Sequence, residues 1–504
     1  MKFERLLVGI TIVVILYLFT NAIFSFFTPG EQHELLRFSI LGVPVAVLLF
    51  LFPRFSLVLL ALFVYFVDWL ALWVKIVPRE FTWFIDLILI ILLVRYLLLF
   101  PQHRRRPIPM PTKWIVGFLI FAVFSALINQ ISAMTAFIGL RVLMKYSLLF
   151  IVLYSMDFSE KFIKRLFYLL FAIALIQIPV AIIELKFFVP AKVMGLWDLI
   201  TGTFGHNNTG ILAVYLLEWI AFLVAIMVEQ RRLRLRLLIL ILLLTIPPIL
   251  GEAKAFFLVL VPLILFMLRR EWIKRPTLAL TIGVFTFLLF WGVDAILVKT
   301  GYWIAGRNPI TYVTRMNEII EKDLAGVQKQ VGVEKPTEGR FYQMNNALRF
   351  ATSSPQALLL GFGPGVGTFS FFAAYEAPTV KYYKAWEVSS ASHSLAWILL
   401  EYGILGTLLF LVLPFLLYRR AAILHRSDRE DYRILATAFQ GLIFLYLADL
   451  FVTPVLQDDA LGYFFWVTAA IVTQLSYTVE TKPAPIPAVY TPESAPLVPE
   501  RTPL

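Results

Sequence analysis

A chain of 504 residues that is 60% hydrophobic and 15% charged, with a mean hydropathy of +0.83, falls outside the ~25% charged and ~45–50% apolar composition of soluble domains. A net charge of +12 would suggest nucleic acid in a soluble protein, but here the basic residues sit in short clusters between apolar blocks, where they set membrane topology. The absence of cysteine excludes disulfides, thiolate metal sites and cysteine nucleophiles.

Nearly uncharged runs predict spans over 6–27, 38–53, 56–77, 81–101, 114–130, 136–155, 166–186, 208–228, 237–250, 255–268, 277–298, 393–418, 434–453 and 460–477. Most approach the ~20 residues that a helix needs to cross hydrocarbon. The expectation is an all-α polytopic membrane protein of about 12–14 spans, the lower number applying if the short pair flanking Gly251 is broken or re-entrant. The first block lacks a small-residue cleavage site and reads as a retained span. Alternate connections carry Lys2/Arg5, Arg54, Arg104–Arg106 with Lys113, Lys161/Lys164/Arg165, Arg231–Arg236, Arg269–Arg275 and Arg419–Arg433. The opposite short connections hold only Arg37, Lys75, Arg79, Lys186, Lys192 and Lys254. This bias predicts cytoplasmic termini.

The domain reading is then a membrane part over 1–298, a helical extracytoplasmic loop over 299–392, the last spans over 393–477, and a cytoplasmic tail over 478–504. From Thr481 the tail is rich in proline and too poor in apolar residues to fold. Within the loop, Tyr312–Gln330 spaces apolar residues at helical intervals, and Arg340–Ser353 reads as a second short helix. Pro355 breaks that helix before the glycine-rich LLLGFGPGVGTFSFF. Gly361, Gly363, Gly365 and Gly367 suit either a hinge between helices or a backbone that closely approaches a phosphate.

His393 then stands at the outer mouth of a span, with Glu401 about two turns deeper. It suits an interfacial anchor, a proton acceptor or a hydrogen-bond donor to a phosphate oxygen. Two other outward features could meet it. One is TGTFGHNNTG, which holds His206 and Asn207. The other is GEAKA, where Glu252 and Lys254 form a local ion pair or face a ligand. Arg307, Arg315, Arg340 and Arg349 add guanidinium groups that suit a diphosphate. Asp68 and Asp86 would pair with Arg95 or cap helices.

The order GTFGHNN, then GRFYQMNNALRFATSSPQALLLGFGPG, then SHSLAWILLEYGILG resembles the O-antigen ligase and O-antigen polymerase superfamily of integral-membrane glycosyltransferases. The match is most specific over Gly339–Gly406 and spans about 202–418; the amino-terminal half agrees only in hydropathy. The resemblance implies a bacterial inner-membrane enzyme whose active site faces the periplasm or cell exterior. It implies an undecaprenyl-diphosphate-linked glycan donor, a glycan or lipid-linked acceptor, inversion at the anomeric centre, and no metal or other cofactor. Chain-length regulator and flippase would be partners. By resemblance His393 is the loop-end histidine and Arg340 the loop arginine. Lys254 replaces the family's other arginine and loses its bidentate fork. The diphosphate site would draw on Arg349, Arg315, His206, Asn207, Glu252, Gly363, Gly365 and Glu401. Polymerase is the first reading and ligase the second. A lipid-linked oligosaccharide flippase, using buried Asp68, Asp86, Glu218 and Asp449, is a rival of another class.

Overall fold

The computed structural model describes residues 44–103, 107–188, 200–269, 327–336, 340–368 and 393–480, apart from short gaps and a few isolated positions at 276–284. The chain is an all-α polytopic membrane protein. Among the described residues, eight helices are long and apolar enough to cross a bilayer. The spans expected over 6–27 and 277–298 lie outside the described residues, as does the tail beyond 480.

In chain order the first elements are α1 (Pro53–Asp68, continued by a π turn to Trp73), α2 (Trp83–His103), α3 (Met110–Ile128), α4 (Ala133–Ser155) and α5 (Glu160–Ile183). Next come α6 (Thr209–Gln230), α7 (Leu235–Leu250) and α8 (Lys254–Met267). The remaining helices are α9 (Arg340–Ala351), α10 (Pro355–Leu360), α11 (Ser394–Leu424), α12 (Glu430–Val452) and α13 (Asp459–Glu480). Their starts are written in the sequence. Ser132 accepts from Thr135 N–H at 3.1 Å, Ser159 from Phe162 N–H at 3.3 Å and Ser354 from Ala357 N–H at 3.0 Å. Each cap satisfies an amide that the first turn cannot.

The helices α6 and α13 are buried on nearly every face and form the centre, with α4, α11 and α12 around them. Tyr65, Tyr215 and Tyr463 meet there with Phe204 and Phe464. Their hydroxyls donate to the carbonyls of Ala460, Leu170 and Leu57 at 3.3, 2.8 and 2.9 Å. Hydrocarbon offers no water to take those protons, so each aromatic hydroxyl brings its own acceptor.

The short pair stays short. Helices of 16 and 14 residues reach only about 24 and 21 Å at 1.5 Å per residue, and Pro247, Pro248 and Pro262 interrupt their ladders. Both pack on α6.

One expectation is corrected. Tyr312–Gln330 is not one helix, because Val327–Gln330 (β1) pairs antiparallel with Val333–Pro336 (β2). Gln330 stands opposite Val333, and the alternation in VQKQ favours a strand over a helical stripe.

Candidate functional site

The predicted motifs around His393 fold into an interlocked unit. At Gly403 α11 breaks, with φ +60° and ψ −167°. The kink frees the carbonyls of Leu400 and Glu401, which accept from the N–H groups of Phe362 and Gly363 at 3.0 and 2.9 Å. The Glu401 carboxylate, fully buried, accepts through Oε1 from Gly367 N–H at 2.9 Å and from the Thr368 hydroxyl at 2.8 Å. Gly365 adds a backbone hydrogen bond to the same carboxylate. Glu401 therefore clamps the glycine-rich segment through both main chain and side chain.

That segment wedges between α3 and α4. Gly365 has φ +87°, and a Cβ there would overlap the Thr135 carbonyl of α4. A Cβ on Gly363 would meet Ile131 and Asn129. Ser125 donates to the Leu360 carbonyl at 2.9 Å, and Gln356 donates to Asn129 at 3.0 Å. This corrects the phosphate-cradle reading of Gly363 and Gly365 and the diphosphate role expected of Glu401. The open side of the glycines is filled by neighbouring helices, and their amides are spent on Glu401.

Beside the clamp two helices meet. Ala347 and Ala351 of α9 pack on Ala396, Leu399 and Leu400 of α11, so the helix that begins at Arg340 lies against the first two turns after His393. His393 is 4% exposed, and its Nδ1 accepts from Ala396 N–H at 3.3 Å. A ring nitrogen that accepts an amide proton carries none itself, so the neutral imidazole has its proton on Nε2.

Ser394 accepts from Leu456 N–H at 3.2 Å, which brings the α12–α13 turn beside His393. That turn ends in Asp458 and Asp459. Asp459 pairs with Lys145 of α4, and Arg141 of α4 pairs with Asp86 of α2. Arg141 and Lys145 lie about 12 and 18 Å along α4 from its first residue, so both are charges inside a membrane helix. The sequence reading missed all of these except Asp86, for which it offered Arg95 as a partner or a helix-capping place: Asp86 lies in the first turn of α2, and its ion pair is with Arg141. The available signal was two cations four residues apart in one span, which share a helix face and seldom occur in hydrocarbon without purpose.

The other predicted features border the same end. Glu184 accepts from the amides of Thr201 and Gly202 at 3.0 and 2.7 Å, and Gln177 accepts from Thr203 N–H at 2.9 Å. These bonds fix the TGTFG knot. A Cβ on Gly205 would meet Asp68 at 3.1 Å, and one on Gly251 would press on Thr209 and Ile200. The turn preceding Lys254 thus rests on the knot, and the knot rests on α1. Lys254 and Arg340 head α8 and α9, while their side chains, with His206, Asn207, Glu252 and Arg315, lie outside the described residues. Arg349 is exposed on the last turn of α9. Glu218 and Asp449 are buried in α6 and α12, within Coulombic range of one another. Among the described residues, no group of histidine and carboxylate side chains could hold a metal ion.

Two tests follow from this geometry. Arg141→Ala leaves Asp86 without its counter-charge, at an expected cost of about 2–3 kcal/mol, below the ~3–5 kcal/mol of a fully buried pair because both side chains keep some exposure. Arg141→Ala/Asp86→Ala should recover part of that loss in thermal unfolding of the purified protein, and simple additivity of the single losses would refute the pairing. Removal from water raises the Asp458 carboxyl to about 7, with Asp459 and Asp68 adding to the rise and the amides of Leu461 and Ala460 opposing it. The folded chain therefore holds this proton better than the unfolded chain, whose value is about 3.9. The resulting stability is present below pH ~4 and is lost as pH rises through 7. Asp458→Asn keeps an acceptor for Leu461 N–H and should flatten the fall in melting temperature between pH 5 and about 7.5; equal slopes would contradict the assignment.

No protein-family model matches the chain, and no curated protein matches it in sequence.

Proposed function

We propose that the chain is an integral-membrane glycosyltransferase of the O-antigen polymerase and ligase type, taking a polyprenyl-diphosphate-linked glycan as donor. The observation that carries this reading is the interlock of three sequence motifs. The Arg340 helix, the glycine-rich segment and the His393 helix pack on one another, held by Glu401 and the kink at Gly403. Beside it, Leu456 donates to Ser394 in the turn that leads to Asp459, and the half-buried pairs Lys145–Asp459 and Arg141–Asp86 lie on α4.

In the proposed reaction an acceptor hydroxyl attacks C1 of the donor sugar. The bond from C1 to the diphosphate oxygen breaks, lipid diphosphate leaves with the electron pair, and the hydroxyl proton passes to water. Negative charge grows on the leaving group, so donors and cations around it lower the barrier. Arg340 and Lys254 hold the diphosphate. The hydrogen bond into Nδ1 supports an Nε2–H that donates to a phosphate oxygen, which favours the anion-site role of His393 over the base role. Polymerase is the reading adopted, because nothing in the site selects a lipid A core, protein or wall acceptor.

The test is product analysis with purified protein in vesicles holding a labelled polyprenyl-diphosphate oligosaccharide. A ladder of lengthening lipid-linked chains supports the polymerase. One transfer product supports the ligase. Movement of intact donor across the bilayer without new glycosidic bonds would replace both with the transporter, the reading that buried Glu218 and Asp449 favour.

A further inference from the structure

A cavity of about 740 Å3 opens at the opposite, basic end of the bundle, and two guanidinium groups line it. Arg54 comes from the start of α1 and Arg95 from within α2, eight residues before that helix ends. The remaining wall is apolar, including Leu51, Phe52, Phe55 and Phe158. Leu51, Phe52 and Phe55 are exposed, so the cavity opens sideways, where a bilayer would lie. Among the described residues, no carboxylate lines it.

Three cations set within the membrane helices have protein partners. Arg141 has Asp86, Lys145 has Asp459, and Arg269 donates to Tyr418 and Gln440. Arg54 and Arg95 have no hydrogen bond or ion pair among the described residues, and Arg54 meets only the Phe162 ring at 5.9 Å. Arg54 is exposed at the start of α1 and Arg95 is half-buried within α2, so the two guanidinium groups edge one apolar cavity from the interface inward, an arrangement that suits a negative headgroup with an apolar tail. The end of the bundle that holds them also carries Lys161, Lys164 and Arg165, the mark of the cytoplasmic leaflet, where anionic lipids concentrate.

We infer that this cavity binds an anionic phospholipid, with Arg54 and Arg95 on its phosphate and the apolar wall against its glycerol and first methylenes. The volume lies within the ~300–1,000 Å3 of ordinary ligand sites. The inference is independent of the glycan-transfer reading, whose residues lie at the other end of the bundle.

The experiment is native mass spectrometry of the purified full chain, titrated with phosphatidylglycerol and with phosphatidylcholine. Wild type should prefer phosphatidylglycerol by roughly tenfold or more, since each of two cations contributes to anionic-lipid binding. Arg54→Gln/Arg95→Gln should lose the preference. Lys161→Gln/Arg165→Gln, which removes solvated charge at the same end, should keep it. Inorganic phosphate should not displace the lipid. Retained preference in Arg54→Gln/Arg95→Gln, or displacement by phosphate, would overturn the proposal. If that variant fails to fold, Arg54→Lys/Arg95→Lys keeps the charge but loses the paired donors and should weaken phosphatidylglycerol binding by about three- to tenfold. Unchanged binding there would overturn the proposal equally.

Discussion

His393→Asn should lower glycan transfer by about 10²–10³-fold while leaving the protein folded, because removing one donor from an anion-stabilising site typically costs that much. Asparagine is chosen because His393 does two separable things. Its Nδ1 caps α11 by accepting from Ala396 N–H, and asparagine is among the best N-cap residues. What asparagine removes is the ring nitrogen beyond the cap. Loss of turnover with a melting temperature near wild type assigns the effect to chemistry. His393→Ala removes both, and should lose about 1 kcal/mol of stability as well. Wild-type turnover in His393→Asn would leave the histidine as a cap alone.

Gly365→Ala should be the most damaging single methyl in the described part of the chain. The backbone there has φ +87°, strained for any residue with a Cβ by about 1–2 kcal/mol. The added carbon would also overlap the Thr135 carbonyl and approach its Cγ2. Backbone of α4 cannot swing away as a flexible side chain can, because Gly139 on the same helix already sits against Gly365 and Pro364. The expected loss is about 3–5 kcal/mol, the range reserved for overpacking combined with a forbidden backbone region, and would be read as a large drop in melting temperature and yield. Gly117, with open space around its Cβ position, is the control; Gly117→Ala should be neutral or slightly stabilising in its helix. Equal behaviour of the two variants would refute the wedge.

Hydropathy made the membrane architecture legible. The spans expected at 114–130, 136–155, 166–186 and 208–228 overlap α3 to α6 closely, because runs of ~20 apolar residues have no other stable solution. The helix after His393 was placed to within one residue at its start, yet it continues to Leu424 rather than 418. The glycine-rich segment was visible as a special backbone but not assignable. Whether a missing Cβ makes room for a phosphate or for a helix depends on Thr135 and Gly139, more than 200 residues away in sequence, and local pattern carries no information about them. Arg141 and Lys145 were hidden by averaging, since a span rich in leucine stays hydrophobic with two cations in it. Their partners Asp86 and Asp459 come from two other helices. The strand at Val327–Gln330 was absorbed into a helical reading of Tyr312–Gln330, because its pairing partner Val333–Pro336 lies beyond that window.

The central claim is that the His393 end of α11 recognises a lipid-borne diphosphate. The direct measurement is the affinity of purified wild type and His393→Asn for undecaprenyl diphosphate in detergent, with undecaprenol as the uncharged comparison. The account predicts binding of the diphosphate weakened about tenfold or more by the substitution, as the loss of one charge-assisted hydrogen bond of 1.5–3 kcal/mol requires, with undecaprenol unaffected. Equal affinity of both proteins for the diphosphate would contradict it.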